Sequence, residues 1–288
     1  MVEKRIDIII VNYNGFLYTQ ECVNSLFKIN YSNYKIVIVD NCSTDNSYTL
    51  LMSTYGGCDN INIIRTPDNI GFAGGNNFGI KYAISKGAEF FLLLNNDTEV
   101  DPEFLNKMVS HIDDHTIISP IIYYYDYPSD VWYGAGNFNR IKCISENGDY
   151  TKKSFVNFAT GCCELIPKSV IDKVGLMAEE YFMYYEDADY SLRAISNGIK
   201  ILYTPEAKIY HKVGKSSGGE LSKFSIYYNN RNRFYLIKTH KFGFLCCVYT
   251  FVTRIIRFLL SIVINNNDYI ILRAYKDYKK GKMGKQMF

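Results

Sequence analysis

Ile6-Asp7-Ile8-Ile9-Ile10-Val11 runs straight into Asn12-Tyr13-Asn14-Gly15, and this junction of a short apolar run with a polar turn decides how the chain is read. The run is too short for the core of an export signal and lacks a small-residue cleavage site. Its β-branched residues suit a buried strand. The same unit recurs: Lys35 to Val39 leads into Asp40-Asn41-Cys42-Ser43-Thr44-Asp45, Ile61 to Arg65 follows, and Phe90 to Leu94 leads into Asn95-Asn96-Asp97-Thr98. Helix-length segments separate them, Phe16 to Phe27, Ser43 to Tyr55 and Gly74 to Lys86, with Pro102 to His111 after the fourth. Ser43 or Thr44 can cap the second helix, and Pro102 suits the first turn of the fourth. This alternation predicts an α/β domain, Rossmann-like, with a mostly parallel central sheet and helices on both faces.

Beyond residue 115 the order changes. Ile117 to Tyr125, Val131 to Phe138 and Phe155 to Ile166 read as extended segments of a small antiparallel extension. Helices over Lys168 to Val174 and Asp189 to Asn197 and short strands at Lys200 to Tyr203 and Lys208 to Tyr210 follow. With 288 residues, 48% of them hydrophobic, the chain can bury a full core, and disorder is excluded. A net charge of only +3 gives no reason to expect nucleic acid as a partner. The eight cysteines include two adjacent pairs and no Cys-x-x-Cys spacing, which argues against a zinc site or a disulfide framework and fits a reducing cytoplasm.

In open parallel sheets, ligands bind outside the carboxyl ends of the strands, so the polar turns there are the candidate site. Asp40 can accept from a nucleotide base or ribose, or cap the following helix. Asn69-Ile70-Gly71-Phe72-Ala73-Gly74-Gly75-Asn76-Asn77 offers bare backbone to a phosphate or sugar, or marks tight packing, and matches neither nucleotide-loop fingerprint. Asn95-Asn96-Asp97 offers oxygen ligands to Mg2+ or Mn2+ shared with a diphosphate, or is a polar turn. Glu186-Asp187-Ala188-Asp189 supplies a carboxylate able to act as general base, or dipole-matched acids opening a helix. His211 can complete a metal shell while Lys212 or Lys215 offsets diphosphate charge; a lone histidine is otherwise structural.

In this order, Val11-Asn12-Tyr13-Asn14-Gly15, Val39-Asp40 to Asp45, the stretch 69–77, Leu94-Asn95-Asn96-Asp97 and Tyr185-Glu186-Asp187-Ala188-Asp189 resemble the family-two inverting glycosyltransferases of GT-A fold, in particular their rhamnosyltransferase-like branch. The match runs over roughly residues 5 to 235. The resemblance implies an enzyme of cell-surface polysaccharide synthesis. It would move a sugar from a nucleoside diphosphate, dTDP-rhamnose or a UDP-hexose, to a glycan or lipid-linked saccharide acceptor. It implies donor contacts from Val11, Tyr13, Asp40, Asn76, Asn96, Asp97 and Lys215, with Asp97 and His211 holding Mg2+ or Mn2+. Asp187 would be the catalytic base, and Gly161, Cys162 and Glu186 would border the acceptor. Asn95 stands where the family's metal motif has its first aspartate, which lowers the charge offered to a cation.

Residues 1–235 are read as the catalytic domain and 236–288 as a helical, basic appendage. Phe244 to Ile264 is apolar but interrupted by Arg254 and Arg257, each costing roughly 2.5–3.5 kcal/mol at a bilayer centre. A helix lying on the inner face of the membrane, near Lys276, Lys279, Lys280, Lys282 and Lys285, is one reading, and packing on the catalytic domain or in a homodimer is the other. Two other functions compete. A non-catalytic nucleotide-sugar-binding protein would not need Asp187, and a sugar nucleotidyltransferase would need a cation in the first turn, where Asn12 to Gly15 has none.

Overall fold

A computed structural model describes residues 3–214, 222–264 and 269–286, without the side chains of 260–264. The four apolar runs form β1 (Ile6–Asn12), β2 (Tyr34–Asp40), β3 (Ile61–Arg65) and β4 (Phe90–Leu94), parallel strands in the order β3-β2-β1-β4. Around them lie α1 (Phe16–Leu26), α2 (Ser47–Tyr55), α3 (Gly71–Ser85), β5 (Thr98–Val100) and α4 (Phe104–Val109). The runs of β1, β2 and β4 are largely apolar because both faces are covered, whereas the edge strand β3 is half-buried and carries Asn62 and Arg65. Ile6, Ile8 and Ile10 pack with Val23 and Leu26 of α1 and Phe104 of α4, while Ile9 faces Val37, Val39 and Ile80 of α3 in a second core. Each fully buried isoleucine contributes about 1.5–3 kcal/mol. α3 lies so close that a Cβ on Gly79 would stand 2.4 Å from Ile9 Cγ2, which accounts for part of the glycine-rich stretch as packing.

The second half adds β6 (Thr116–Tyr124), β7 (Val131–Tyr133), β8 (Asn137–Asn139), β9 (Ile144–Glu146), β10 (Ser154–Val156), β11 (Cys163–Pro167), α5 (Lys168–Val174), α6 (Glu186–Ser196) and β12 (Lys200–His211). β11 runs antiparallel between β4 and β6, and β12 runs parallel to β6, so the central sheet is mostly parallel with an antiparallel extension.

Several expectations about elements change. Val131 to Phe138 divides into β7, paired with β6, and β8, paired with β9 in a separate sheet, and α3 starts at Gly71 rather than Gly74. The segment Phe155 to Ile166 splits into β10 and β11 around a loop tied to α6, where Ser191 Oγ accepts from Ala159 N. The two short strands fuse into β12, whose register shifts between Thr204 and Lys208, across Pro205, a residue without an N–H. α2 starts at Ser47 rather than Ser43, because Ser43 and Thr44 bond instead to Asn14 in the turn after β1. α6 begins at Glu186, which places Asp187 in its first turn.

α7 (Lys223–Thr239), α8 (Phe244–Ile264) and α9 (Tyr269–Lys279) close the chain. The 235/236 boundary therefore falls inside α7. The tail beyond α9 returns to the body, with Gly284 N bonding Glu180 O and Gln286 N bonding Tyr228 OH, both at 2.8 Å. All eight cysteines are free thiols.

Candidate active site

The polar turns at the strand ends open into a cleft with two lobes, of about 440 and 430 Å³, that share Phe72, Asn95 and Met183 in their walls. The first lobe is lined by Val11, Tyr13 and Asn96; the second by Asp97, His211, Gly161, Cys162, Glu186 and Asp187. Strand pairing makes the second lobe. Antiparallel β5 and β12 set His211 opposite Thr98, and Lys212 N bonds Asp97 O at 2.9 Å, so the imidazole and the Asp97 carboxylate meet at 3.1 Å. β11 against β4 does the same for the opposite wall, where Asn95 N bonds Cys162 O at 2.9 Å.

Asp187 sits at the amino end of α6 facing Gly161. Its Oδ1 accepts from Ala188 N at 2.8 Å and its Oδ2 from Gly161 N at 3.3 Å. Burial pushes its carboxyl up to about 6, against the lowering pull of these backbone donors, a value suited to a base that ionises near neutrality. Glu186 beside it is buried, and burial together with the Asp187 charge raises it well above the ordinary carboxylate range. Asp189, by contrast, is fully engaged. Burial alone would raise it, but the His240 hydrogen bond and Arg193 hold it below the usual range, and Tyr181 OH donates to the same carboxylate.

Glu164, on β11, was not singled out from the sequence. It is buried, with neither carboxyl oxygen hydrogen-bonded, and burial plus the charges of Asp187 and Glu186 push it well above the ordinary range. A raised carboxyl favours the fold below its unfolded value of about 4.3, and that advantage is lost as pH climbs toward the folded value. Glu164→Gln is thus expected to raise Tm by about 4 °C or more at pH 8 and to leave it unchanged near pH 4.5, as read by differential scanning calorimetry at the two pH values.

Asn95 Oδ1 and His211 Nδ1 are buried polar atoms without a hydrogen-bond partner, and Trp132 packs edge-on against the His211 ring at 4.4 Å. Among the described residues no third His, Cys, Asp or Glu joins Asp97 and His211. One carboxylate, one imidazole and one amide oxygen nonetheless fit a divalent cation that draws further oxygen ligands from a bound diphosphate.

Two expected donor residues stand elsewhere. Asp40 is fully buried behind the first lobe, where Asn12 Nδ2, Ser43 N and Arg65 Nε all reach its carboxylate at 3.0–3.1 Å. Its neighbour Asn41 lines the lobe instead. Asn76 is buried in α3 and donates to Phe72 O. Lys215 lies outside the described residues, and Lys212 is held between Glu21 and Glu99. The residues missed from the sequence are apolar wall residues, Phe72, Trp132 and Met183, and two from the distant returning tail, Lys285 and Gln286. Lys285 pairs with Asp68 at 2.8 Å, a contact between residues 217 positions apart.

The family model for glycosyl transferase family 2 matches residues 7–175. The dTDP-rhamnosyl transferase RfbF of Shigella flexneri is 28% identical over 280 residues, covering 92% of this chain and 91% of its own. GalNAc-T7, solved with UDP, GalNAc and Mn2+, superposes with a TM-score of 0.67 at 16% identity, over 82% of this chain and 48% of that one. The mannosyltransferase PcManGT from Pyrobaculum calidifontis, solved with GDP-Man and Mn2+, gives 0.60 at 12% identity, over 96% and 70%. At such identities the superpositions speak for the architecture, which is the GT-A fold.

Proposed function

The chain belongs to glycosyl transferase family 2, and from that membership we propose that it moves a sugar, with inversion, from a nucleoside diphosphate to a glycan or lipid-linked saccharide in cell-surface polysaccharide synthesis. The observation that carries the reading is the pairing of Asp187 with Asp97 and His211 across one lobe. The adjoining lobe, with Val11, Tyr13 and Asn96, has room for a nucleoside. dTDP-rhamnose is the preferred donor, in keeping with the RfbF likeness, and a UDP-hexose is the next. Eight free thiols suit a cytoplasmic enzyme.

Asp187 takes the proton of the acceptor hydroxyl as that oxygen attacks the anomeric carbon, and the bond to the diphosphate oxygen breaks with its electron pair leaving on the diphosphate. Attack opposite the leaving group inverts the centre without a covalent enzyme intermediate. Glu186, Gly161 and Cys162 border the acceptor side. Asp97 and His211, with Asn95 in the wall of the same lobe, would hold Mg2+ or Mn2+, which would supply positive charge for the departing diphosphate. Lys285 adds a cation to the donor lobe. Asp40 and its partners fix the turns that form the lobe, a supporting part in donor binding.

Isothermal calorimetry with nucleoside diphosphates and their sugars, with and without Mn2+, tests this reading. Pyrimidine diphosphates are expected to bind at least about tenfold more tightly with Mn2+ than without, and exclusive purine binding would overturn the donor assignment.

A further inference from the structure

α8 packs with its sides reversed. Cys246, Thr250 and Arg254, at successive turns, face the protein, where Arg254 Nη1 donates to Asn230 Oδ1 at 3.2 Å. Its apolar stripe faces outward, with Phe244 80%, Phe251 60% and Leu259 54% exposed, and Leu245, Val252 and Ile256 between them. A helix that turns its polar side to the protein and its apolar side to solvent calls for an apolar medium on that side. Beside it, a groove of about 600 Å³ between α7, α8 and α9 is walled by Ile237, Phe242, Val248 and Phe251, with Lys238 and Lys279 among its lining.

Charge selects the medium. From Leu221 to the last residue the sequence holds thirteen lysines and arginines against two acids, while the remainder of the chain is net acidic. Among the described residues from 222 onward the one acid is Asp277, buried and bonded to Tyr227 OH. Lys238, Lys241, Arg257, Lys276, Lys279 and Lys280 are exposed around the apolar stripe. A second copy docked on this face would bring two basic surfaces together with no exposed acid among the described residues from 222 onward to pair them. An anionic lipid surface answers both features at once. Among the described residues no helix is long and apolar enough to cross a membrane, so attachment is in the plane.

We infer that α8, with the basic rim of α7 and α9, docks the protein on an anionic bilayer as an in-plane helix whose apolar stripe enters the acyl region. This surface is separate from the cleft, so it stands whether or not the proposed transfer reaction does.

The test is co-sedimentation of the full chain with phosphatidylcholine vesicles containing or lacking a quarter phosphatidylglycerol, alongside sedimentation velocity without lipid. Binding to the anionic vesicles is expected to exceed that to neutral ones by at least about tenfold and to weaken as salt rises. Phe251→Ser with Leu259→Ser should abolish it, and Lys279→Glu with Lys280→Glu should lower it about tenfold or more and flatten the salt dependence. Donor calorimetry on both variants should be unchanged, which separates failure here from failure of the transferase reading. Equal binding to both vesicles, no binding to either, or a lipid-free dimer that Phe251→Ser dissolves would overturn the inference, the last by assigning the face to a second copy.

Discussion

Asp187→Asn is expected to lower kcat by about 10³-fold while leaving the donor dissociation constant within about twofold of its original value. The amide keeps the size of the side chain, and its single oxygen can keep the shorter bond from Ala188 N while the longer one from Gly161 N is given up, so the wall of the lobe should hold its shape. What it loses is the capacity to take a proton. In the original protein, kcat/KM should rise with pH through about 6 as Asp187 ionises, and this rising limb should vanish in the variant. Stability should move the other way. Because burial raises this carboxyl, its ionisation weakens the fold as pH rises from the unfolded value of about 3.9 through about 6, so the variant should melt no lower than the parent at pH 7. Stopped-time transfer assays, donor calorimetry and melting curves on one preparation give all three readouts. Unchanged transfer would remove Asp187 as base, and lost donor binding would make it a binding group instead.

The legible part of this molecule is the part whose period is short. The apolar runs of β1, β2 and β4 come out nearly to the residue because a doubly covered strand has a local signature, and the polar turns after them fall at the cleft for the same topological reason. Asp97 and His211 could be singled out because an acid and an imidazole at the ends of apolar runs stand out by type, and Asp187 because it belongs to a dense acidic cluster. That they share a lobe is a property of β5 pairing with β12 and β11 with β4, which no local pattern encodes. Asp40 shows the limit at the scale of one residue. Its position at a strand end is visible, but whether the carboxylate faces the ligand or Asn12 and Arg65 is decided by side chains from two other strands, and Asn41 takes the lobe. Lys285 shows the limit at long range, since a basic tail residue gives no sign that its partner is Asp68.

The loop that leads into Asp187 is the clearest case of structure beyond sequence pattern, and it yields the second large expectation. Phe182, Tyr184 and Tyr185 all have positive φ, from 66° to 71°, a region in which side-chain-bearing residues cost roughly 1–2 kcal/mol each. That strain persists because α7 holds it. Asn232 is fully buried, and its amide nitrogen lies 2.8–2.9 Å from the carbonyl oxygens of Tyr181, Met183 and Tyr184. Arg231 donates to Tyr181 O at 2.9 Å and to Gly284 O at 2.6 Å, joining the loop to the returning tail. The loop is also pinned to α3, where Phe72 N bonds Phe182 O at 2.7 Å and Gly71, at φ +79°, leaves no Cβ to collide with that oxygen.

Asn232→Ala removes the two N–H donors that these three carbonyls share and is expected to cost about 3 kcal/mol, lowering Tm by about 6–12 °C. Released from α7, the strained residues should relax and carry the first turn of α6 with them, displacing Asp187 by a fraction of an ångström. A misplacement of that order is expected to lower kcat by about 10²-fold in assays run well below the new Tm, with a smaller loss of donor affinity, because Phe182 and Met183 of the same loop also line the Val11 and Tyr13 lobe. Loss of stability with kcat intact would leave Asn232 as a packing residue alone. The combined loss would make it the group that aims Asp187, through contacts with residues 48–51 positions away in the chain, which is why neither side announces the other.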